Sequence, residues 1–296
     1  MPSRRVVALI VAFWVATTAY IVYRDLWPRL FASGPPPVAI DLADEAAQNV
    51  PVRWTILRNG EKVGWLITQM RYVEEDDTFR FTSEYKQLRL AIMGVEFHVP
   101  EFTTAIRVTR NGDLREQSAE GKLEIIWQGI QFGTAELKLA GTVADGQLTA
   151  KLDGSYRALG KAPQSISRTL DPVPVPVGQP LNPMQPVNRL RGVKPGQRWV
   201  VNESDPLGEA VTMIVGEVAG QVGVKSPEKK RDVLIDEVLG SPRDLQWYEH
   251  LVPCWVIEYR REQELVARTW VRQTDGKVLK QEAFLGGEQI AFERVE

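Results

Sequence analysis

The chain has 296 residues, of which 44% are hydrophobic and 25% are charged, and its formal net charge is −2. These proportions are typical of a globular protein, and the absence of a basic excess argues against nucleic acid as a partner. A single cysteine, Cys254, excludes an intramolecular disulfide. A metal centre needs a cluster of His, Cys or carboxylate ligands, and the stretch Glu249-His250-Leu251-Val252-Pro253-Cys254 offers at most three, interrupted by a proline, so we expect neither a metal nor another cofactor.

The first feature along the chain is an uncharged run, residues 6–23, that follows Arg4 and Arg5. As a helix with a rise of about 1.5 Å per residue it would span roughly 27 Å, close to the thickness of a bilayer core. We therefore predict a transmembrane signal anchor with residues 1–5 as a cytoplasmic tip. By the positive-inside rule the bulk of the chain is then extracytoplasmic, in the periplasm. A cleaved signal peptide and a buried core helix are the alternatives.

The next segment, residues 24–49, has the composition of a juxtamembrane tether. It contains Gly34 followed by three prolines, which is typical of a stiff spacer. Such a spacer would set the following domain off from the bilayer.

From residue 50 the sequence changes to strand patterns, and residues 50–296 predict one extracytoplasmic β domain. Apolar and polar residues alternate on both sides of Asn59-Gly60, which is a strong signal for a hairpin turn. Similar turns are predicted at Asp145-Gly146 and at Asp153-Gly154. Turns that recur every 10–20 residues or so are typical of an antiparallel meander.

A proline-rich segment, residues 171–186, divides this domain into a first half, 50–170, and a second half, 187–296. Its six prolines are not expected inside a sheet ladder, so we predict a strap or linker. A ligand for a proline-recognising partner is the alternative. Strand patterns return in the second half, for example at Val233–Val238 and 278–284.

The predicted fold is therefore all-β. It consists of one large, curved antiparallel sheet, either an open half-barrel or a meander in two halves, preceded by one N-terminal transmembrane helix.

Residues that could carry catalysis are few. His250 lies near Cys254, but Cys254 opens an apolar strand and is expected to be a small core residue instead of a nucleophile. Glu258 and Glu282 lie in predicted strands, where cross-strand ion pairs are expected. Their expected partners are Arg260, Arg268 and Lys280. The sequence thus predicts no catalytic, cofactor-binding or metal-binding residue.

Aromatic residues are the remaining signal. The chain has nine tryptophans, which either fill a core or line a curved sheet face that holds an apolar ligand. The candidates for such a ligand face are Trp65, Trp127, Trp255 and Trp270.

Two stretches resemble a known group of proteins. One runs from Arg268-Thr269-Trp270-Val271 through Asp275-Gly276-Lys277 to Gly286-Gly287, and the other is Asn59-Gly60-Glu61-Lys62-Val63-Gly64-Trp65. They resemble the closing and opening strands of periplasmic half-barrel proteins, namely the lipoprotein-carrier superfamily and the uncharacterised DUF3108-like group. The resemblance implies an open, strongly curved antiparallel sheet and an exported location, and it allows an apolar cavity.

These observations favour a non-enzymatic protein, a membrane-anchored extracytoplasmic binding or scaffold module of the cell envelope. It would hold a lipid-like or other apolar ligand on its curved sheet. The alternative is a ligand-free platform for an envelope protein partner. A third hypothesis is a hydrolase with dispersed carboxylates, which requires Glu258 and Glu282 to meet in one cleft. The membrane is an expected partner in each case, through the N-terminal helix.

Overall fold

The computed structural model describes residues 4–22, 50–92, 95–110, 112–170, 172–175, 187–190, 192–202, 233–285 and 287–295. Within these ranges one helix precedes sixteen strands. The predicted tether and most of the proline-rich segment lie outside the described residues.

The helix, α1 (Arg4–Ile21), includes most of the predicted N-terminal span. Several of its apolar side chains face solvent, and Ile10, Val11, Phe13 and Trp14 are each more than half exposed. Over the described residues, no helix has the length and apolar character needed to cross a membrane. The transmembrane assignment therefore stays a prediction.

The strands of the first half are β1 (Val52–Arg58), β2 (Glu61–Val73), β3 (Thr78–Ile92), β4 (Val95–Thr109), β5 (Leu114–Trp127), β6 (Ile130–Ala144), β7 (Gln147–Ala158), β8 (Gln164–Thr169) and β9 (Val173–Pro174). Those of the second half are β10 (Arg198–Asn202), β11 (Val233–Val238), β12 (Arg243–Trp247), β13 (His250–Arg261), β14 (Glu264–Arg272), β15 (Val278–Leu285) and β16 (Glu288–Arg294).

These strands form one antiparallel sheet in the order β10-β11-β13-β14-β15-β16-β1-β2-β3-β4-β5-β6-β7-β8, with β12 beside β13 and β9 beside β7. The first and last strands are neighbours, and Trp54 of β1 lies opposite Arg294 of β16. The two halves are therefore joined by direct strand pairing. The sheet is curved and does not close, so the predicted all-β, open antiparallel architecture is confirmed.

Two of the predicted turns are found. Asn59 and Gly60 have φ values of 50° and 86°, and Asp145 and Gly146 have 51° and 71°. Positive φ at both central positions is the geometry of a tight two-residue hairpin, which these residue types adopt readily.

The turn predicted at Asp153-Gly154 is wrong, because both residues lie inside β7. A Cβ atom at Gly154 would come within 2.5 Å of the carbonyl oxygen of Glu136 on β6. Glycine is used here for a close approach between two strands and does not reverse the chain.

The proline-rich segment contacts the sheet near its start. Val173 and Pro174 pair with Leu148 and Gln147 of β7. The expectation that this segment stays out of the ladder is therefore wrong at these two residues. A two-residue strand at the margin needs ladder bonds on one side only, so it tolerates a residue without an N–H group.

The main core lies on one face of the curled sheet, which we call the inner face. Trp54, Leu66 and Ile257 are fully buried in one cluster that draws on both halves, so the sheet must curl over this face. The Trp54 indole N–H donates to Thr68 Oγ1 at 2.9 Å, and Thr68 donates to Asn188 Oδ1 at 2.8 Å. The indole therefore keeps a hydrogen bond inside the core. The opposite side is the outer face.

Candidate binding groove on the outer face

A shift in register places Trp65 on the outer face. A regular ladder starting from the Asn59-Gly60 turn would pair Trp54 with Trp65. The register between β1 and β2 instead shifts by one residue, so that Trp54 pairs with Leu66 and Trp65 pairs with Thr55. A one-residue shift moves a side chain to the other side of the sheet. Trp54 therefore fills the core while Trp65 faces outward.

The sheet beside Trp65 is irregular over three strands. The ladder between β2 and β3 begins at Trp65, which pairs with Lys86. Nearby on β3, Gln87 has a φ of 51°, and at the same level of β4 stands Pro100, which has no N–H group for the ladder. The register between β4 and β5 then shifts between His98 and Phe102. These irregularities bend the strands and open a depression on the outer face.

We call this depression the Trp65 groove. It consists of two adjoining hollows, of about 660 and 350 Å³, that share Trp65, Gln87 and Pro100. The larger hollow is also lined by Lys62, Val63, Gly64, Arg89 and His98, and the smaller by Arg53, Ile67, Lys86 and Glu101. These volumes are in the range of small-molecule sites.

Two basic side chains, Arg53 and Lys62, lie close to the Trp65 indole. The guanidinium carbon of Arg53 lies 4.7 Å from the centroid of the ring, and the Lys62 ammonium nitrogen lies 3.2 Å from it. Cations at such distances are attracted to the face of an indole. Arg89 lines the same groove and is exposed.

Two other basic residues of the groove have acidic partners. Lys86 Nζ lies 3.3 Å from a carboxylate oxygen of Glu84 and 3.8 Å from one of Glu101. His98 Nδ1 lies 2.8 Å from a carboxylate oxygen of Glu124 on β5. This contact fixes the orientation of the imidazole ring at the side of the groove.

The four tryptophans predicted to line a ligand face lie in different surroundings. Trp65 lines the groove. Trp270 shares the outer face but packs in a separate cluster, where its indole N–H donates to Glu282 at 2.9 Å. Trp255 lies on the inner face against the main core, and Trp127 is 48% exposed at the end of β5. The structure therefore does not bring the four together.

The carboxylates Glu258 and Glu282 meet at Arg268, which lies opposite both of them on neighbouring strands. Arg268 is 2.9 Å from Glu258 and 4.0 Å from Glu282. Arg260 lies 2.6 Å from Glu258, and Lys280 lies 3.1 Å from Glu282. Although burial by itself raises the pKa of Glu258, hydrogen bonds from the two arginines lower it overall. The predicted ion pairs are found, and the cross-strand prediction is confirmed for Arg268. It is wrong for Arg260 and Lys280, because each lies two residues from its glutamate on the same strand. Both carboxylates therefore serve as counterions.

The structure also bears on Cys254 and His250, which lie close together in the sequence. Cys254 is fully buried, whereas His250 is exposed. Burial raises the pKa of the Cys254 thiol to about 11, so the reactive thiolate is scarce at neutral pH. The prediction that Cys254 is a core residue is confirmed. In the part of the chain that is described, no group of three or more His, Cys, Asp or Glu side chains is arranged to hold a metal.

The sequence pattern does not mark Arg53, Lys62 and Arg89 as residues of a site. In an alternating pattern they have the appearance of ordinary solvated charges on the polar side of a strand. The available signal is Pro100, because a proline within a strand pattern marks an irregular ladder.

Comparison with known proteins gives little further guidance. A scan against protein-family models and a search of the curated proteins both find no match. A search of solved structures finds the crystal structure of a β-barrel-like protein of domain of unknown function DUF1849 from Brucella abortus. It is 11% identical, covers 84% of this chain and 97% of that chain, and has a TM-score of 0.35. It belongs to a different domain group from the two named above, and at this TM-score the likeness carries no argument.

Proposed function

We propose that the protein is a membrane-anchored, extracytoplasmic binding module of the cell envelope, and that its ligand occupies the Trp65 groove. The observation that carries this proposal is the groove, a depression of small-molecule size beside a half-buried indole. The proposed ligand face is the outer side of the sheet, because core side chains such as Trp54 and Leu66 occupy the inner face.

The proposed membrane anchor rests on the N-terminal segment. Residues 6–23 carry no charge, and two arginines precede them. Apolar side chains of α1 such as Phe13 and Trp14 are exposed in the isolated chain. Lipid would cover them, with a gain of about 1.5–3 kcal/mol for each large side chain that becomes fully buried. The charge asymmetry favours a cytoplasmic N-terminus.

Site-specific photo-crosslinking in intact membranes tests the binding site. A photoreactive amino acid replaces Glu101, which lines the groove and is exposed. The matched control replaces Glu249, an exposed glutamate between β12 and β13. We expect a small-molecule adduct at position 101 and none at 249.

Equal labelling at the two positions, or none at position 101, would count against the proposal. Capture of one protein at position 101 in stoichiometric amount would favour the platform alternative.

A fusion of alkaline phosphatase after residue 296 tests the topology, because this enzyme is active only after export. We expect an active fusion together with a full-length chain whose N-terminus is intact by mass spectrometry. An inactive fusion would contradict the extracytoplasmic placement, and a shortened chain would show that the segment is a cleaved signal peptide.

A further inference from the structure

Three cations of the Trp65 groove have no counterion among the residues that the structure describes. Across the described residues, no carboxylate oxygen lies within 4.0 Å of the charged nitrogens of Arg53, Lys62 or Arg89, whereas Lys86 has acidic neighbours. The chain as a whole carries a formal charge of −2, so this positive excess is local. A concave surface with unbalanced charge of one sign attracts small ions of the other sign.

The groove holds two of these charges close together before any ligand arrives. Arg53 Cζ and Lys62 Nζ are both held near the Trp65 ring, and the sum of their distances to its centroid places them within about 8 Å of each other. Like charges at this separation repel. An anion bound in the groove near both of them would reduce the repulsion and would meet side chains that the indole already orders.

The third cation approaches from another strand. Arg89 lies opposite His98 in the β3–β4 ladder, and both line the larger hollow together with Lys62 and Trp65. Lys62 and Arg89 therefore line the larger hollow, and Arg53 lines the smaller hollow that adjoins it at Trp65. An anion where the two hollows meet would be approached by basic side chains from β1, β2 and β3.

We propose that the groove binds a phosphate ester, with the phosphate held by Arg53, Lys62 and Arg89; this inference rests on the binding function proposed above. A phosphate presents several acceptor oxygens and up to two negative charges, which suits three separate cations. A lone carboxylate would satisfy the fork of one arginine. Trp65, Val63 and Ile67 offer apolar surface to the organic part of the ester.

The same chemistry occurs in a lipid headgroup and in a soluble sugar or glycerol phosphate. Calorimetric titration of the full-length chain in micelles of a maltoside detergent, which contains no phosphate, distinguishes the two sources. The probes are glycerol 3-phosphate and dihexanoyl phosphatidic acid, with inorganic phosphate as the reference. We expect saturable binding of at least one ester, tighter than that of inorganic phosphate and weaker as salt rises from 50 to 200 mM.

The variants are Arg53→Gln, Lys62→Gln and Arg89→Gln, with Arg157→Gln on β7 as the matched control, since Arg157 is exposed and lies outside the groove. Loss of one charged hydrogen bond should weaken binding by about tenfold or more in each groove variant. The control should bind as the parent chain does. Circular dichroism of each variant reports whether the sheet is retained.

Binding of the lipid ester alone would assign the site to a headgroup, and binding of both esters would assign it to the phosphate ester itself. Absence of saturable binding, or equal weakening by Arg157→Gln, would overturn the inference. In that event a small-molecule adduct at position 101 would leave the binding function standing with a ligand other than a phosphate ester. Absence of the adduct as well would remove both proposals.

Discussion

Asp236 on β11 is completely buried, and neither of its carboxylate oxygens has a hydrogen-bond partner among the described residues. It lies opposite Trp199 of β10 and Tyr259 of β13. Burial raises the pKa of Asp236 to about 8. The polar Trp199 indole beside it opposes part of this rise. The substitution Asp236→Asn keeps the size of the side chain and removes its titration.

Whether stability rises or falls with pH depends on which state, folded or unfolded, holds the proton. The usual pKa of this carboxyl is 3.8, so between about pH 4 and pH 8 the folded chain keeps a proton that the unfolded chain releases. The stability contributed by this group therefore falls as pH rises, by about 1.4 kcal/mol per pH unit. Between pH 5 and pH 8 the loss amounts to about 4 kcal/mol. We expect Asp236→Asn to lack this loss, so its advantage over the parent chain grows with pH.

The assay is urea unfolding of the full-length chain in detergent micelles, followed by tryptophan fluorescence at pH 5, 6, 7 and 8. The buried asparagine amide changes the free energy of unfolding by the same amount at every pH. The decisive quantity is therefore the difference between the two chains in the slope of the free energy of unfolding against pH. Asp145→Asn, in an exposed hairpin turn that accepts asparagine, is the control and should follow the parent chain. Parallel pH profiles for Asp236→Asn and the parent chain would refute the reasoning.

Three further predictions follow from the described contacts. Asp275 accepts hydrogen bonds from Arg272, which are the main reason that its pKa falls to about 2. The resulting stability is present above the usual carboxyl pKa and is lost as pH falls toward 2. Because about a third of the side chain is exposed, Asp275→Asn should destabilise the chain by only about 1 kcal/mol at pH 7, and by nothing near pH 2 in the same unfolding assay. A Cβ atom at Gly121 would lie 2.8 Å from the Cα of Phe102, so Gly121→Ala should cost about 1–3 kcal/mol. Gly240→Ala should be tolerated, because a Cβ atom there would have no described atom within 4 Å other than those of Gly240 and its two chain neighbours. Equal effects of the two alanine variants would contradict the packing. Cys254 should react with a maleimide only after denaturation, and rapid labelling of the native chain would show that the thiol is accessible.

Much of the strand pattern could be predicted because alternation is a local property. The predicted strand Val233–Val238 agrees residue for residue with β11, and the prediction at 278–284 ends one residue before β15 does. Alternation also places Cys254 and Glu258 on the side opposite Ile257, as the packing clusters and outer-face ion pairs show.

Other features could not be predicted because they depend on strands that are distant in sequence. Asp236 becomes buried only when β10 and β13 pair with β11 on either side of it. The junction of the two halves depends on the pairing of β1 with β16, which are separated by more than 200 residues. No local pattern in either segment specifies such a partner.

The sequence by itself determined the all-β class, the tight turns at Asn59-Gly60 and Asp145-Gly146, and the core position of Cys254, since each depends on residues close together in the chain. Only the tertiary structure decided which tryptophan faces outward. The one-residue shift between β1 and β2 sends Trp54 into the core and Trp65 to the outer face, and the neighbouring strands then bring Arg53 and Arg89 to the same depression. Because side chains alternate with a period of two, a single residue of register separates a core tryptophan from one that lines a candidate binding site.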